Sequence, residues 1–378
     1  MPSAAPPEEI EIIRHSVRQF IAQEVVPNRE RWRKAGIVDR ELWLKAGEMG
    51  LIGPGVPEEY GGGGGDFRHE AVVYEELGRA NFIDFGITVH SGVVLPYFLH
   101  LGTQAQKEAW LPKLVSGEAV SAVAMTEPDA GSDLQAMRTT ARRDGGDYVI
   151  TGQKTFISNG LLADVVVVAA KTDTAAGSRG ITLFIVEADR EGFRRGRKLE
   201  KMGLHAQDTS ELFFDEVRVP AANILGGVEG QGFKQLMSML PQERLVIALQ
   251  GLGAMEAAIA ETVRYAKERR VFGKQLMEMQ NTRFRLAEAA TEARIARVFV
   301  EDCIAKLADG TLDVPTAAMA KWWVTDRQCA VIDECLQLFG GYGYMTEYPI
   351  CQMFLDARGQ KIYAGTNEIM KEIIARSL

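Results

Sequence analysis

Apolar residues recur at helical spacing from Ile10 to about Leu114. Ile10, Ile13, Val17, Phe20 and Ile21 fall on one face of a 3.6-residue repeat, and Pro27 limits that first helix. VPEEYGGGGGDF at 56 to 67 cannot be a helix interior, because five consecutive glycines carry a large backbone-entropy cost. It reads as a flexible surface connection, with a ligand-cradling loop as the alternative, ahead of a helix containing Val72 to Leu77. Between about Val120 and Gly227 the period changes. DYVITG at 147 to 152, DVVVVAAK at 164 to 171, ITLFIVEA at 181 to 188 and SELFFDEVRVP at 210 to 220 are short β-branched or aromatic runs with glycine, aspartate or proline at their bounds. No helical segment separates them, so an antiparallel arrangement is favoured over a doubly wound parallel sheet. Helices return from Phe233: Leu240 to Lys267, around Leu276 to Leu307, Val314 to Phe339, and a last one from Glu368. Four in succession suggest a bundle. The expected fold is mixed α and β, with an N-terminal helical domain (1–118), a middle antiparallel β domain (119–227) and a C-terminal helical bundle (228–378).

Composition narrows the function classes. With 378 residues the chain exceeds what one core usually serves, and 46% hydrophobic with 25% charged residues is a globular balance. A net charge of -8 and a pI near 5.4 give no general attraction to phosphate backbones, so nucleic acid is not an expected partner. The opening MPSAAPPEEIEII has no basic region before an apolar core and reads as neither a signal nor a transit peptide. No apolar run approaching about 18 residues is apparent, so no membrane span is expected. Cys303, Cys329, Cys335 and Cys351 lack CxxC pairing and are not interleaved with histidine, which suggests buried free thiols, a cytoplasmic protein and no metal site.

Two glycine-bearing runs invite chemistry. GGYGYM from Gly340 follows a predicted helix rather than a strand, with no βαβ unit around it, so it fails the context of a dinucleotide fingerprint. Its backbone can still approach a ligand closely and offer amide N–H groups to an anion. TEPDAGSD at 126 to 133 has the same capacity, with hydroxyls from Thr126 and Ser132. Taken singly, either run is also an ordinary loop or helix junction.

Together, AMTEPDAGSDLQA at 124 to 136, QLFGGYGYMTEYP at 337 to 349 and KIYAGTNEIMKEIIAR at 361 to 376 resemble the fingerprints of the acyl-CoA dehydrogenase family of flavoenzymes. The resemblance covers nearly the whole chain, in the right order. It implies FAD, an acyl-CoA substrate, a homo-oligomer, usually a tetramer, and electron-transferring flavoprotein as the electron acceptor. By this resemblance Met125, Thr126 and Ser132 lie along the flavin, with Ser132 also facing the CoA portion of the substrate. QKTFISNG at 153 to 160 looks like the family's strand beside the isoalloxazine ring, which places Phe156 and Ser158 there.

Further flavin contacts are implied from a neighbouring subunit. ERRVFGKQLMEMQ at 268 to 280 resembles the pyrophosphate-binding segment, giving Arg269, Phe272 and Gln280 as candidates. A planar, permanently charged guanidinium suits phosphate oxygens. Without the family, Arg269 and Arg270 read as a solvated helix end. Gln337, Gly340 and Gly341 would approach the adenine half, and Thr366 and Glu368 follow the active-site strand; Arg244 and Gly365 join Ser132 as substrate contacts. Gln352 and Leu355 stand where the family usually has basic residues.

In most members the third residue of IYxGT is the glutamate that removes the substrate's α-proton. Here it is Ala364. Alanine keeps the backbone N–H that the family uses as an oxyanion donor, so the base is lost and that donor is not. In the long-chain and isovaleryl types the glutamate sits on a helix of the C-terminal domain instead. LPQERLVIA at 240 to 248 is similar to that segment and puts Glu243 at the position concerned, among Leu240, Leu245, Val246 and Ile247, beside a Pro241 that would kink the helix. Apart from the family, Glu243 also reads as a surface glutamate paired with Arg244 or Arg269.

FISNG, KMGLHAQDTSELFFDEVRVP at 201 to 220 and HSG at 90 to 92 match the long-chain type in particular, which makes His90 and His205 structural. The expected reaction is dehydrogenation of acyl-CoA to trans-2-enoyl-CoA, on medium to long or branched chains. A flavin-dependent oxidase or monooxygenase, or a non-catalytic acyl-CoA and flavin binder, are the alternatives. Gly251, Gly253 and Ala254 either leave room for a long tail or allow close helix packing.

Overall fold

The computed structural model describes residues 7–378; the first six residues, on which part of the reading of the opening segment falls, lie outside the described residues. Helix α1 (Pro7–Phe20) runs on through a π-helical turn at Ile21–Val25, so the predicted first helix continues almost to Pro27. Then follow α2 (Arg29–Ala35), α3 (Arg40–Glu48), α4 (Phe67–Arg79), α5 (Leu95–Leu101) and α6 (Gln104–Val115). The five glycines are less loose than expected. Gly64 and Gly65 donate back to the carbonyls of Val56 (2.8 Å) and Pro54 (3.0 Å), and a Cβ at Gly62 would lie 2.1 Å from the Val56 carbonyl oxygen. The chain folds onto itself there. Asp66 then caps α4, accepting from the Arg68 N–H at 2.8 Å.

The middle segment carries β1 (Ser121–Ala124), β2 (Thr140–Asp144), β3 (Asp147–Ser158), β4 (Val165–Lys171), β5 (Ile181–Glu187), β6 (Phe193–Lys198) and β7 (Thr209–Pro220). They form one seven-stranded sheet in the order β1-β4-β2-β3-β7-β6, with β5 beside β4. Most pairs are antiparallel, but β1 lies parallel to β4, with Ser121 opposite Val165, and β2 meets β4 in parallel at Thr140 and Lys171. The arrangement is therefore mixed rather than purely antiparallel. The absence of helices between strands missed this because the parallel partners are joined by long connections through β2 and β3. Strands β1, β2 and β6 were not predicted; β2 and β6 are polar and short.

Period-2 alternation divides β4 and β5 between two cores. Val165, Val167, Ala169, Leu183 and Ile185 face the helices, whereas Val166, Val168, Ala170, Phe184 and Val186 pack inside the β domain with Tyr148, Leu212 and Phe214. A strand buried on both faces reads as a continuous apolar run, which is what VVVVAA shows.

Helix α7 (Gly232–Glu268) has 37 residues and passes unbroken through Pro241. After a two-stranded hairpin, β8 (Arg270–Val271) and β9 (Lys274–Gln275), come α8 (Gln280–Ala308), α9 (Val314–Phe339), α10 (Pro349–Gln360) and α11 (Asn367–Ala375). Sequence reading missed α10, which packs on α9 and α7. It also overlooked that α7 holds a window long and apolar enough to cross a membrane. Most of that window is buried inside the protein, so α7 reads as a core helix. The small residues of α7 serve this packing. A Cβ at Gly253 would lie 2.4 Å from the Glu75 carbonyl oxygen, which shows close packing of α7 on α4, and one at Gly251 would lie 2.9 Å from Gln328 Oε1.

Candidate active site

Glu243 lies in the first third of α7 and is 3% exposed. That overturns its reading as a surface glutamate. Leu245 and Val246 are wholly buried beside it, and the wholly buried Tyr97 of α5 donates its phenolic hydrogen to Glu243 Oε1 at 2.8 Å. Burial pushes the Glu243 carboxyl up to about 7, against the lowering effects of the Tyr97 hydrogen bond and the Arg244 charge. A carboxylate near neutrality in an apolar site is suited to taking a proton from a weak carbon acid. Arg244 follows it, 3% exposed, and its Nε and Nη1 find no partner among the described residues.

Ala364 belongs to a turn between α10 and α11, not to a strand. Its φ is +52° and that of Gly365 is +88°, left-handed values that interrupt any ladder. Among the described residues no acceptor is found for the Ala364 N–H. Thr366 caps α11, with its hydroxyl accepting from the Ile369 N–H at 3.4 Å, while Glu368 is exposed in the first turn. Lys321 of α9 donates to the Gly365 carbonyl at 2.8 Å and feels the Arg244 charge. The turn and the glutamate-bearing helix thus meet at Lys321, a residue sequence reading did not single out.

Met125 and Thr126 follow β1 and lie against the end of β3. The Thr155 N–H donates to the Thr126 carbonyl at 3.0 Å, and Lys154 Nζ reaches the Met125 carbonyl at 3.0 Å and Glu127 Oε1 at 2.7 Å. Lys154 is 1% exposed, and burial drives it down to about 8 in spite of Glu127. This buried pair fastens the loop and was not foreseen. Ser132 is exposed farther along the loop. Phe156 is 68% exposed at a φ of +58°, turned outward from a strand whose neighbours Thr155 and Ile157 are buried; Ser158 is half-buried.

A second group gathers at the far end of α7 and α9. Arg269, Phe272, Gln337, Gly340 and Gly341 line a cleft of about 700 Å³; Gln280, at the start of α8, is not among its lining residues although Met279 and Asn281 are. The Arg269 guanidinium lies 5.4 Å from the Tyr342 ring centre, and Tyr265 stacks on Phe339 at 4.1 Å behind it. Phe272, at the tip of the β8–β9 hairpin, is 98% exposed.

These residues fit FAD. Gly340 and Gly341 have nothing within 4 Å of a would-be Cβ, so their backbone is open to a ligand, and Arg269 supplies a fixed cation for a pyrophosphate. Phe156 is an exposed aromatic on β3, next to Thr155, whose N–H bonds to the Thr126 carbonyl. Among the described residues no histidine, cysteine and carboxylate cluster could hold a metal. His90 is wholly buried, its Nε2 2.9 Å from the Leu114 carbonyl and its Nδ1 2.7 Å from Ser121 Oγ, and burial drives it down to about 4. His205 is half-buried. Gln352 donates to Asp356 at 2.7 Å in place of a salt bridge, and Leu355 is half-buried.

Three domains in this order, a buried near-neutral carboxylate and a cleft offering Arg269 with the open backbone of Gly340 and Gly341 agree with a flavin-dependent oxidoreductase. The N-terminal, middle and C-terminal acyl-CoA dehydrogenase domain models match residues 7–118, 122–217 and 230–378. Mouse (Mus musculus) long-chain specific acyl-CoA dehydrogenase, mitochondrial, is 48% identical over 372 residues, 98% of this chain and 86% of that protein. Isovaleryl-CoA dehydrogenase, mitochondrial, of Solanum tuberosum is 38% identical over 97% of this chain and 89% of its own. The crystal structure of an acyl-CoA dehydrogenase from Geobacillus kaustophilus is 49% identical and superposes with a TM-score of 0.96, covering 98% of both chains. The chain belongs to the acyl-CoA dehydrogenase family. It is an FAD-dependent oxidoreductase that acts on acyl-CoA.

Proposed function

We propose that Glu243 is the base that removes the α-proton of a saturated acyl-CoA, and that the Ala364 N–H receives the thioester oxygen as it gains negative charge. The burial of Glu243 against Tyr97 carries this reading. A carboxyl held near 7 is half ionised at neutral pH, and its basicity comes from the lack of water around it. Arg244, with donors unspent, is placed to steady charge beside it. The free Ala364 N–H suits an oxyanion, because a fixed backbone donor needs little reorganisation as charge develops. Met125, Thr126, Ser132, Phe156 and Ser158 would hold the flavin ring, and Arg269, Phe272, Gln280, Gln337, Gly340 and Gly341 of a neighbouring copy its nucleotide half. FAD, when bound, supplies the acceptor for the hydride that leaves the β carbon.

The wider reading has separate supports. Phe272, 98% exposed on a hairpin beside the Arg269 cleft, is open to contact with another copy, and a homotetramer is proposed from the family resemblance. A medium-to-long or branched acyl chain is proposed from similarity to the long-chain and isovaleryl enzymes. Electron-transferring flavoprotein is proposed as acceptor on the strength of family membership, and a cytoplasmic setting on that of the free thiols. Anaerobic mixing of the yellow protein with saturated acyl-CoAs of increasing length, and with isovaleryl-CoA, tests the activity. Bleaching of the flavin supports a dehydrogenase, fast recovery in air points to an oxidase, and no bleaching with any thioester overturns catalysis.

A further inference from the structure

We infer that Lys321 is a positioning residue for the reaction, holding the Ala364–Gly365 turn so that the Ala364 N–H is presented to the thioester oxygen. The inference rests on the role proposed for that N–H. Lysine is among the residues least often fully buried, yet Lys321, in the first third of α9, is 0% exposed. Its Nζ donates to the Gly365 carbonyl at 2.8 Å and to Asn367 Oδ1 at 3.0 Å. Asn367 is fixed in turn, donating to Thr325 Oγ1 at 3.0 Å and Asp326 Oδ1 at 3.2 Å. One side chain therefore grips the turn and the first residue of the helix after it.

The turn needs such a grip. Two successive left-handed residues make no ladder, and the backbone bonds around them are Ile362 and Tyr363 N–H to Gly359 O (2.9 and 3.3 Å) before and Asn367 N–H to Lys361 O (3.1 Å) across. Gly365 O takes its hydrogen bond from Lys321. A left-handed alanine costs energy that surrounding contacts must offset, and such strain persists where the structure over-determines it.

The anchor works in either protonation state. Burial, and then the charge of Arg244, push Lys321 down to about 7. A neutral amine still has two N–H groups, and there are two acceptors to fill. Glu368, Asp326 and Lys361 are the other charged groups that Lys321 feels. Since Arg244 follows Glu243 on α7, Lys321 stands between the helix bearing the base and the turn bearing the donor.

A purely structural lysine would lower stability when lost and leave the split between binding and rate unchanged. The test is stopped-flow flavin reduction by saturated acyl-CoA, with the FAD-loaded protein and calorimetric titration of acyl-CoA alongside. Lys321→Met should retain FAD and bind acyl-CoA within about three-fold, yet reduce the flavin roughly 10- to 100-fold more slowly, the scale set by small misplacements of a reacting group. Lys321→Gln keeps two amide hydrogens on a shorter arm and should recover part of the rate. Thr325→Val cuts the same buried network without touching Gly365 and should stay within about two-fold of the wild type, because the donor's position is kept. Wild-type rates in Lys321→Met, or a loss no larger than that of Thr325→Val, overturn the inference. If Lys321→Met does not fold, Lys321→Gln takes its place, and a rate equal to that of Thr325→Val overturns it equally. A wild-type protein that fails to bleach would instead overturn the proposed activity.

Discussion

Tyr97 and Glu243 are 146 residues apart in the chain and share a hydrogen bond of 2.8 Å in the protein interior. The bond sets which state of the carboxyl the site prefers. Burial favours the neutral acid and the phenol favours the anion, leaving the group near 7 rather than higher.

Tyr97→Phe removes the donor that stabilises the carboxylate, so the Glu243 pKa should rise further. The ionised base then appears at higher pH, and the pH profile of flavin reduction should shift upward. Stopped-flow rates between pH 6 and about 9 measure this. An unshifted profile would mean that Tyr97 does not govern the base.

Glu243→Gln should keep FAD and acyl-CoA binding and lose roughly 10²-fold or more in flavin reduction, as expected for loss of a positioned base. Stability supplies an independent reading of the same residue. Because the folded pKa lies above the unfolded one, the fold's preference for the neutral acid contributes fully below the usual carboxyl range and is lost as pH rises through about 7. Denaturation of the apoprotein at pH 5 and pH 8 should show a smaller difference in Glu243→Gln than in the wild type.

Arg269→Ala should weaken FAD retention and leave the fold intact, since the side chain is exposed at the cleft, lying over the Tyr342 ring. Flavin absorbance after dilution and gel filtration is the measurement. Full flavin content would remove Arg269 from the pyrophosphate site.

Arg297 of α8 binds Glu75 of α4 at 2.7 Å and Glu256 of α7 at 2.8 Å, joining three helices through a buried acid. Arg297→Ala should cost about 2 kcal/mol, less than a fully orphaned buried charge, because Arg79 still reaches Glu75 at 2.6 Å. Arg264→Ala breaks exposed pairs with Glu261 and Glu268 and should change stability by well under about 1 kcal/mol. Denaturant titration of the two variants compares them; equal losses would show that burial does not set the strength.

The order helices, strands, helices was legible along the chain because periodicity is local: each segment's apolar spacing reports its own element. VVVVAA announced a strand, and Val314 to Phe339 a helix with the bounds observed for α9. Ala364 in place of the expected glutamate was enough to direct attention to Glu243. What pairs with what was not legible. The parallel contact of β1 with β4, the packing of Gly253 on α4, the Lys154–Glu127 fastening and the Tyr97 and Lys321 contacts all join residues distant in sequence. Residue types and local spacing thus determined the strongly periodic elements, the family motifs and a candidate base, but not β1, β2, β6 or α10. Only the tertiary structure decided that Glu243 is out of water and that Ala364 sits in a left-handed turn, because desolvation and long-range contact are sums over many segments that no one stretch of sequence contains.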